Sequence, residues 1–344
     1  MKGILADLNR AEVECLVKEL GYPAFRARQI SEFLHAGAPI SEMSSLSAQT
    51  RAELLTRYED TAISIEKKLV SVDGTEKYLY RLADGNVIEG VLMTYKYGKT
   101  LCISTQVGCR MNCAFCASGI GGLVRNLTAG EIFSQFSVVN RAQGGTAKNR
   151  QVINIVLMGS GEPLDNYDNV MKFFELAGEA GISMRNISLS TSGIVPGIIK
   201  LADSGVGVTL TLSLHSTLDE RRSKLMPVNK KYSIGELIDA GKYYFKKTGR
   251  RVIFEYCVIA GENDTEGDVK RLQRLTAGFP AHVNLIPLNK VEEKDLRAPS
   301  RKAVEEMAKK LTELGVSATV RRTMGQDING ACGQLRRSYL EGVQ

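Results

Sequence analysis

The chain has 344 residues, 45 Lys and Arg against 38 Asp and Glu (net charge +7), and 43% hydrophobic content. This composition excludes a disordered or collagen-like polypeptide, and the length suits about two domains or one large α/β domain with an appendage. No run approaches a bilayer span and MKGILADLNRAEVECLVKEL lacks a continuous apolar stretch, so a cytoplasmic protein without membrane association is expected, in which seven cysteines serve as metal ligands or catalysts rather than structural disulfides.

Residues 1–58 read as a small helical unit. LNRAEVECLVKEL carries apolar residues at helical spacing with Asn9 as its cap, and GYPAFRARQISEFLHAG reads as a turn followed by a second helix. Residues 59–98 form a β-rich connecting segment, in which ISIEKKLVSVDG and KYLYRLADGNVIEGVLM alternate like strands around Asp-Gly turns. From residue 99 to 322 short β-branched runs alternate with helical segments. The strand candidates are TLCIST, QVINIVLM, NISLST, GVTLTLSL, RVIFEYCVI, HVNLIPL and SATVRR, with helices such as TAGEIFSQFSVVNRA and NYDNVMKFFELAGEA between them. This α/β pattern predicts parallel strands with helices outside. The number of units suits a partial or complete β/α barrel, and a doubly wound sheet is the alternative. Residues 323–344 form a C-terminal loop and tail.

Polar or glycine-rich residues follow the apolar runs: a cysteine loop after TLCIST, Gly-Ser-Gly-Glu after NIVLM, then Ser190-Thr191-Ser192, Ser213-Leu214-His215 and Asn289. In a β/α barrel the C-terminal strand ends converge on one mouth, so a single site built from several strands accounts for all of them. A separate feature is the run 221–251, with ten Lys and Arg against two Asp and Glu. It reads either as a solvated face or as a phosphate-facing surface for nucleic acid.

The sharpest local signal is GCRMNCAFCASG, which sets Cys109, Cys113 and Cys116 close together. A structural zinc site wants four ligands. The triplet has no cysteine or histidine neighbour to complete one, and the chain holds only His35, His215 and His282. An iron–sulfur cluster is softer and favours thiolates. Three thiolates on a four-iron cluster leave one iron open for a substrate or cofactor.

The spacing Cys109-x3-Cys113-x2-Cys116, with Phe115 before the last cysteine, resembles the cluster loop of radical S-adenosylmethionine (SAM) enzymes. STQVGCRMNCAFCASG, RNLTAGEI, GEPLDNYDNV, LSTSG, SLHSTLDERRSKLMPVNKKY, NLIPLN, DINGACGQL and the N-terminal GYPAFRARQI extend the resemblance over nearly the whole chain, to the RlmN/Cfr family of RNA adenosine methyltransferases. The family usually reads Met-Gly-Met-Gly-Glu where this chain has Ser160.

The resemblance implies a radical SAM partial β/α barrel, one [4Fe-4S] cluster on Cys109, Cys113 and Cys116, and SAM as cofactor. It implies SAM contacts from Gly161, Glu162, Ser190, Ser213, Leu214, His215 and Asn289. It further implies that Cys332, in DINGACGQL, carries a methyl group donated by one SAM. A radical from a second SAM activates that methyl group to add to adenine. Cys102 then attacks the Cys332 sulfur, releasing methylated RNA and leaving a disulfide, and Glu89 takes the substrate proton. Cys15 and Cys257 match nothing in the family and read as structural.

The implied partners are 23S rRNA, tRNA and an electron donor such as flavodoxin or ferredoxin, with the protein a monomer. Val107 and Pro163 favour the carbon-2-methylating RlmN branch over the carbon-8-methylating Cfr branch. A non-catalytic iron–sulfur electron carrier or RNA-binding protein, the reading from another class, needs neither Cys102 nor DINGACGQL.

Overall fold

The computed structural model describes residues 2–288 and 296–328; Asn289 and Cys332 lie outside the described residues. Near the N-terminus, helices α1 (Arg10–Glu19), α2 (Phe25–His35) and α3 (Ala48–Arg57) bury Val13, Leu16, Ala27, Ile30 and Leu54 in a small core of their own. Asn9 caps α1 in a reciprocal capping box with Glu12, as its sequence position predicts. The Asp7 carboxylate accepts from the Gly130 amide at 2.6 Å, tying this unit to the first turn of α4 (Ala129–Ala142).

Strands β1 (Ile63–Val70), β2 (Glu76–Leu82), β3 (Val87–Tyr95) and β4 (Gly98–Cys102) form an antiparallel meander. Short strands β5 (Gln106–Gly108) and β6 (Leu123–Asn126) pair as a separate ribbon. After α4 come β7 (Val152–Leu157), α5 (Tyr167–Glu179), β8 (Ile187–Thr191), α6 (Val195–Asp203) and β9 (Thr209–Ser213). They are followed by α7 (Asp219–Leu225), α8 (Ile234–Thr248), β10 (Val252–Val258), α9 (Glu266–Thr276), β11 (Ala281–Pro287), α10 (Arg301–Glu313) and β12 (Ala318–Val320).

One ten-stranded sheet has the order β1-β2-β3-β4-β7-β8-β9-β10-β11-β12, with every pairing from β4 to β12 parallel. The parallel strands follow chain order without a reversal, so the topological switch point of a doubly wound sheet is missing. The order ends at β1 and β12 without their pairing, which leaves a partial β/α barrel. All seven strand segments expected between residues 99 and 322 are strands, while the β5–β6 ribbon was not anticipated.

Alternation along the strands gives the sheet two unlike faces. Leu101, Ile155, Leu189, Leu210, Leu212, Phe254 and Leu285 join the main hydrophobic core with residues of α4, α5, α6, α8 and α9. The opposite face carries polar groups in register. One row runs Ser213, Glu255, Asn284, Thr319 across β9 to β12; another passes from Lys77 through Val91, Cys102 and Val156 to Ser188 and Thr209.

Candidate active site

The cysteine loop leaves β5 and returns in β6. Gly108 at the exit has φ +81°, and a Cβ there would lie 2.0 Å from the Gly122 carbonyl oxygen. Only glycine permits this approach, which lets the Cys109 amide donate to the same carbonyl at 2.9 Å. Asn112 takes the left-handed conformation (φ +51°), which asparagine tolerates. The far side of the loop docks on α7, where the Ala114 amide donates to the Leu225 carbonyl at 2.8 Å. Cys113, Ala114 and Phe115 pack against Leu225, Met226, Cys257, Ile259 and Leu288. The Phe115 ring meets His215 edge-on, with centroids 4.6 Å apart.

Burial pushes the Cys109 thiol up to about 12, and the negative charge of a Cys116 thiolate adds to the effect. Cys113 is raised further, first by burial and then by Cys116 and Cys109. Cys109 and Cys113, raised by burial and by the charge of neighbouring thiolates, ionise readily only with a positive partner beside them. This donor set fits an iron–sulfur cluster. Among the described residues no three His, Cys, Asp or Glu side chains converge on a single-ion site, and a cluster whose corners take one thiolate each requires no such convergence.

The segment after β7 is knitted to the β4–β5 connection. The Ser160 carbonyl accepts from the Thr105 amide (2.8 Å) and the Gln106 amide (3.1 Å), and the Ser160 amide donates to Ser104 Oγ (2.9 Å). Ser104 Oγ in turn donates to the Glu89 carbonyl at 2.8 Å. Gly161 has φ +110°, and a Cβ there would stand 2.7 Å from both Thr105 Oγ1 and the Gln106 nitrogen. Ser160 is buried, its hydroxyl 3.5 Å from the Gly108 carbonyl beside Cys109. The buried Glu162 carboxylate accepts from the Ser192 amide (2.6 Å) and the Leu164 amide (3.0 Å). Burial raises its pKa, and these hydrogen bonds oppose the rise.

Ser190 and Ser213 stand near the C-terminal ends of β8 and β9, on the sheet face away from the helices. The Leu214 side chain belongs to the main core, so its contribution to the mouth is backbone. His215 is buried and left-handed (φ +51°). Its Nδ1 accepts from the Cys257 amide at 2.9 Å, and its carbonyl accepts from Asn263 Nδ2 at 2.8 Å. Burial, reinforced by Arg222, pushes its pKa down to about 3. The ring is therefore neutral with its proton on Nε2, a fixed donor. The buried hydroxyls of Thr100 and Thr211 have no hydrogen-bond partner among the described residues, leaving polar capacity for a ligand.

Glu89 on β3 and Cys102 on β4 share the helix-free face, because Cys102 pairs with Val91, two residues from Glu89. The Glu89 carboxylate lies 3.5 Å from Lys77 Nζ, and both side chains are almost wholly buried. Cys102 sits among Val91, Met93, Val156, Met158 and Met324. The expected pairing of Cys102 with Cys332, and the expected contact from Asn289, involve residues outside those described.

The basic run 221–251 is not one surface. Arg222 is fully buried: its guanidinium donates to the carbonyls of Ser192 (2.7 Å), Ser213 (2.8 Å) and Leu214 (3.0 Å) and to Asn229 Oδ1 (2.8 Å). Arg221 donates to the Glu262 carbonyl and pairs with buried Asp268, and Arg250 reaches Thr209 Oγ1. The phosphate-facing reading therefore fails for Arg222, while Arg221 and Arg250 are half-buried and bonded to the protein itself. Lys77, Arg222, Glu255 and Asn284 are buried or half-buried polar residues around the candidate site that the sequence hid, since Lys, Arg and Glu on a strand or short helix ordinarily face water. No helix among the described residues is long and apolar enough to cross a membrane.

The radical SAM superfamily profile matches residues 103–272. A probable dual-specificity RNA methyltransferase RlmN from Clostridium perfringens is 48% identical over 99% of this chain and 98% of its own length. A protein of the same description from Alkaliphilus oremlandii is 47% identical over 98% of each chain. The crystal structure of a radical SAM methyltransferase from Sphaerobacter thermophilus superposes with a TM-score of 0.92 at 41% identity, over 96% of this chain and 98% of that one.

Proposed function

Because the chain belongs to the RlmN family of radical SAM RNA methyltransferases, we propose that it methylates carbon 2 of an adenosine in the peptidyl-transferase region of 23S rRNA and of the adenosine 3′ of the anticodon in some tRNAs. Two SAM molecules are used per turnover, one as methyl donor and one as radical source. Cys109, Cys113 and Cys116 would hold a [4Fe-4S] cluster, which would supply the electron for SAM cleavage from a donor such as flavodoxin or ferredoxin. Adenine carbon 2 is electron-poor, so polar methyl transfer fails there and a carbon radical is required.

The chain's own residues then divide the work. Gly161, Glu162, Ser190, Ser213, Leu214 and Asn289 position SAM, and His215 offers Nε2–H as a donor. Cys332 accepts the methyl group at sulfur and carries it to the base. Glu89 takes the proton leaving carbon 2, held by Lys77. The Cys102 thiolate attacks the Cys332 sulfur, and the methylene carbon leaves with the electron pair of the broken S–C bond and takes up a proton to become the methyl group; the disulfide left behind is reduced by two electrons from the same class of donor before the next turnover. The protein works in the cytoplasm as a monomer. The domains are the helical unit 1–58, the connecting segment 59–98, the barrel 99–322 and the C-terminal loop and tail 323–344.

The observation that carries this reading is the shared, helix-free face of β3 and β4. It holds a buried carboxylate and a buried thiol on adjacent strands. An electron carrier has no use for such a pair. Two measurements test the reading. Mass spectrometry of RNA from cells lacking and then expressing the protein should reveal 2-methyladenosine; 8-methyladenosine would assign the carbon-8 branch. Cys102→Ala, isolated with RNA and run on a denaturing gel, should accumulate a covalent protein–RNA species, whereas Cys332→Ala should form none. The opposite pattern would reverse the two roles.

A further inference from the structure

Arg222, on the short helix α7, is a fully buried cation whose hydrogen-bond acceptors among the described residues are all neutral oxygens. Burying a charge on neutral partners costs free energy that an apolar side chain would not, so the guanidinium has a task beyond packing. Its partners define that task. The β8–β9 ladder ends at Thr191 and Leu212. The next carbonyls on the two strands, those of Ser192 and Ser213, both accept from Arg222 Nη2, at 2.7 Å and 2.8 Å. Nε donates to the Leu214 carbonyl at 3.0 Å. Arg222 thus clips the two strands together where their own pairing stops. Both chains turn away directly beyond the clip, at Gly193 (φ +111°) and His215 (φ +51°), and a Cβ on Gly193 would stand 3.3 Å from Arg222 Nη2.

The clip is tied on every side. Ser192 also gives its amide to the Glu162 carboxylate at 2.6 Å, which joins the segment after β7. Asn229 Oδ1 takes the fourth guanidinium bond at 2.8 Å, and its Nδ2 donates to Asp219 and Ser223 of α7 itself. Three residues along α7 from Arg222, the Leu225 carbonyl accepts from the Ala114 amide of the cysteine loop.

We propose that Arg222 is a positioning residue for SAM: its fork fixes the ends of β8 and β9, and through α7 it sets them at one distance from the cysteine loop. The proposal rests on the SAM-binding reading above, in which Glu162, Ser190, Ser213 and Leu214 surround that cofactor. The three segments that carry those residues meet at this guanidinium or at Ser192, its partner. The strand ends and the cysteine loop must present their groups to one bound molecule, so an error in their spacing is an error in how that molecule is held. Misplacement by about 1 Å costs on the order of 100-fold where alignment matters. A planar guanidinium bonds in several directions at once and fixes four oxygens with one rigid group, whereas a lysine ammonium on a flexible stem keeps the charge and loses the fork.

The test uses the full-length enzyme, reconstituted anaerobically with iron and sulfide, and reads SAM binding by equilibrium dialysis. Arg222→Lys should keep the parental iron content and weaken SAM binding about 10- to 100-fold. The KM for SAM in 5′-deoxyadenosine release should rise with it, by more than kcat falls. Tyr244→Phe is the control. The Tyr244 hydroxyl donates to the Val208 carbonyl at 2.8 Å, just before the opposite end of β9. Its loss costs stability without touching the clip, and SAM affinity should stay parental. Parental SAM affinity in folded, iron-loaded Arg222→Lys would overturn the proposal. So would an equal loss of affinity in Tyr244→Phe, which would reduce Arg222 to a prop for the fold. If Arg222→Lys does not fold, Asn229→Ser takes its place, because it frees one edge of the guanidinium and leaves the three carbonyl bonds. SAM binding should then weaken about 5-fold, and parental affinity would overturn the proposal equally. A parent enzyme that takes up its cluster and binds no SAM would overturn the cofactor reading and the proposal with it.

Discussion

Lys77 lies opposite Val91 in the sheet and reaches Glu89 at 3.5 Å, with neither side chain open to water. A buried pair of this kind adds little net stability over an apolar pair, but breaking it leaves one charge stranded. Lys77→Met should therefore cost about 3–5 kcal/mol, read as a lower denaturation midpoint. Adding Glu89→Gln to Lys77→Met should restore much of that loss while abolishing RNA methylation. His215 makes a second prediction at this scale. Its folded pKa is about 3 against an ordinary 6.5, so below about pH 6.5 the unfolded chain takes up a proton that the folded chain refuses. This contribution is fully present above that pH and is lost progressively as pH falls toward 3. His215→Asn should flatten the fall in denaturation midpoint between about pH 7 and 5 relative to the parent.

Among the elements, the β5–β6 ribbon sets the cysteine loop through Gly108. A methyl group there meets the Gly122 carbonyl oxygen, so Gly108→Ala must open the ribbon or twist the loop. Iron and sulfide content after anaerobic reconstitution should fall well below the parent value, although all three thiols remain. The ribbon was invisible in the sequence because QVG and LVRN are too short for alternation to register and their pairing is set by a loop. The long elements were legible. NISLST, GVTLTLSL and RVIFEYCVI carry enough apolar, β-branched residues to declare strands, and α4, α8 and α9 carry their own capping boxes. The cysteine triplet was legible from spacing alone. Lys77 and Arg222 were not, since a cation's burial depends on which carbonyls and carboxylates the fold brings to it. The roles of Cys102 and Glu89 came from resemblance, because one buried cysteine or strand carboxylate looks like any other.

Across the described molecule, helices cover one sheet face and polar groups collect on the other. Cys102 and Glu89 share that second face, and β4 is the strand where antiparallel pairing gives way to parallel. Its contact with β3 closes a two-residue turn, whereas its contact with β7 encloses about fifty residues. Local contacts form before distant ones, so the order of assembly is built into the chain. Pulse-labelled hydrogen exchange during refolding should protect the amides shared by β3 and β4 before those shared by β4 and β7. On a ribosome, the carboxylate and the thiol would then already be neighbours while most of the barrel was still unsynthesised, and the later strands would grow outward from a finished edge.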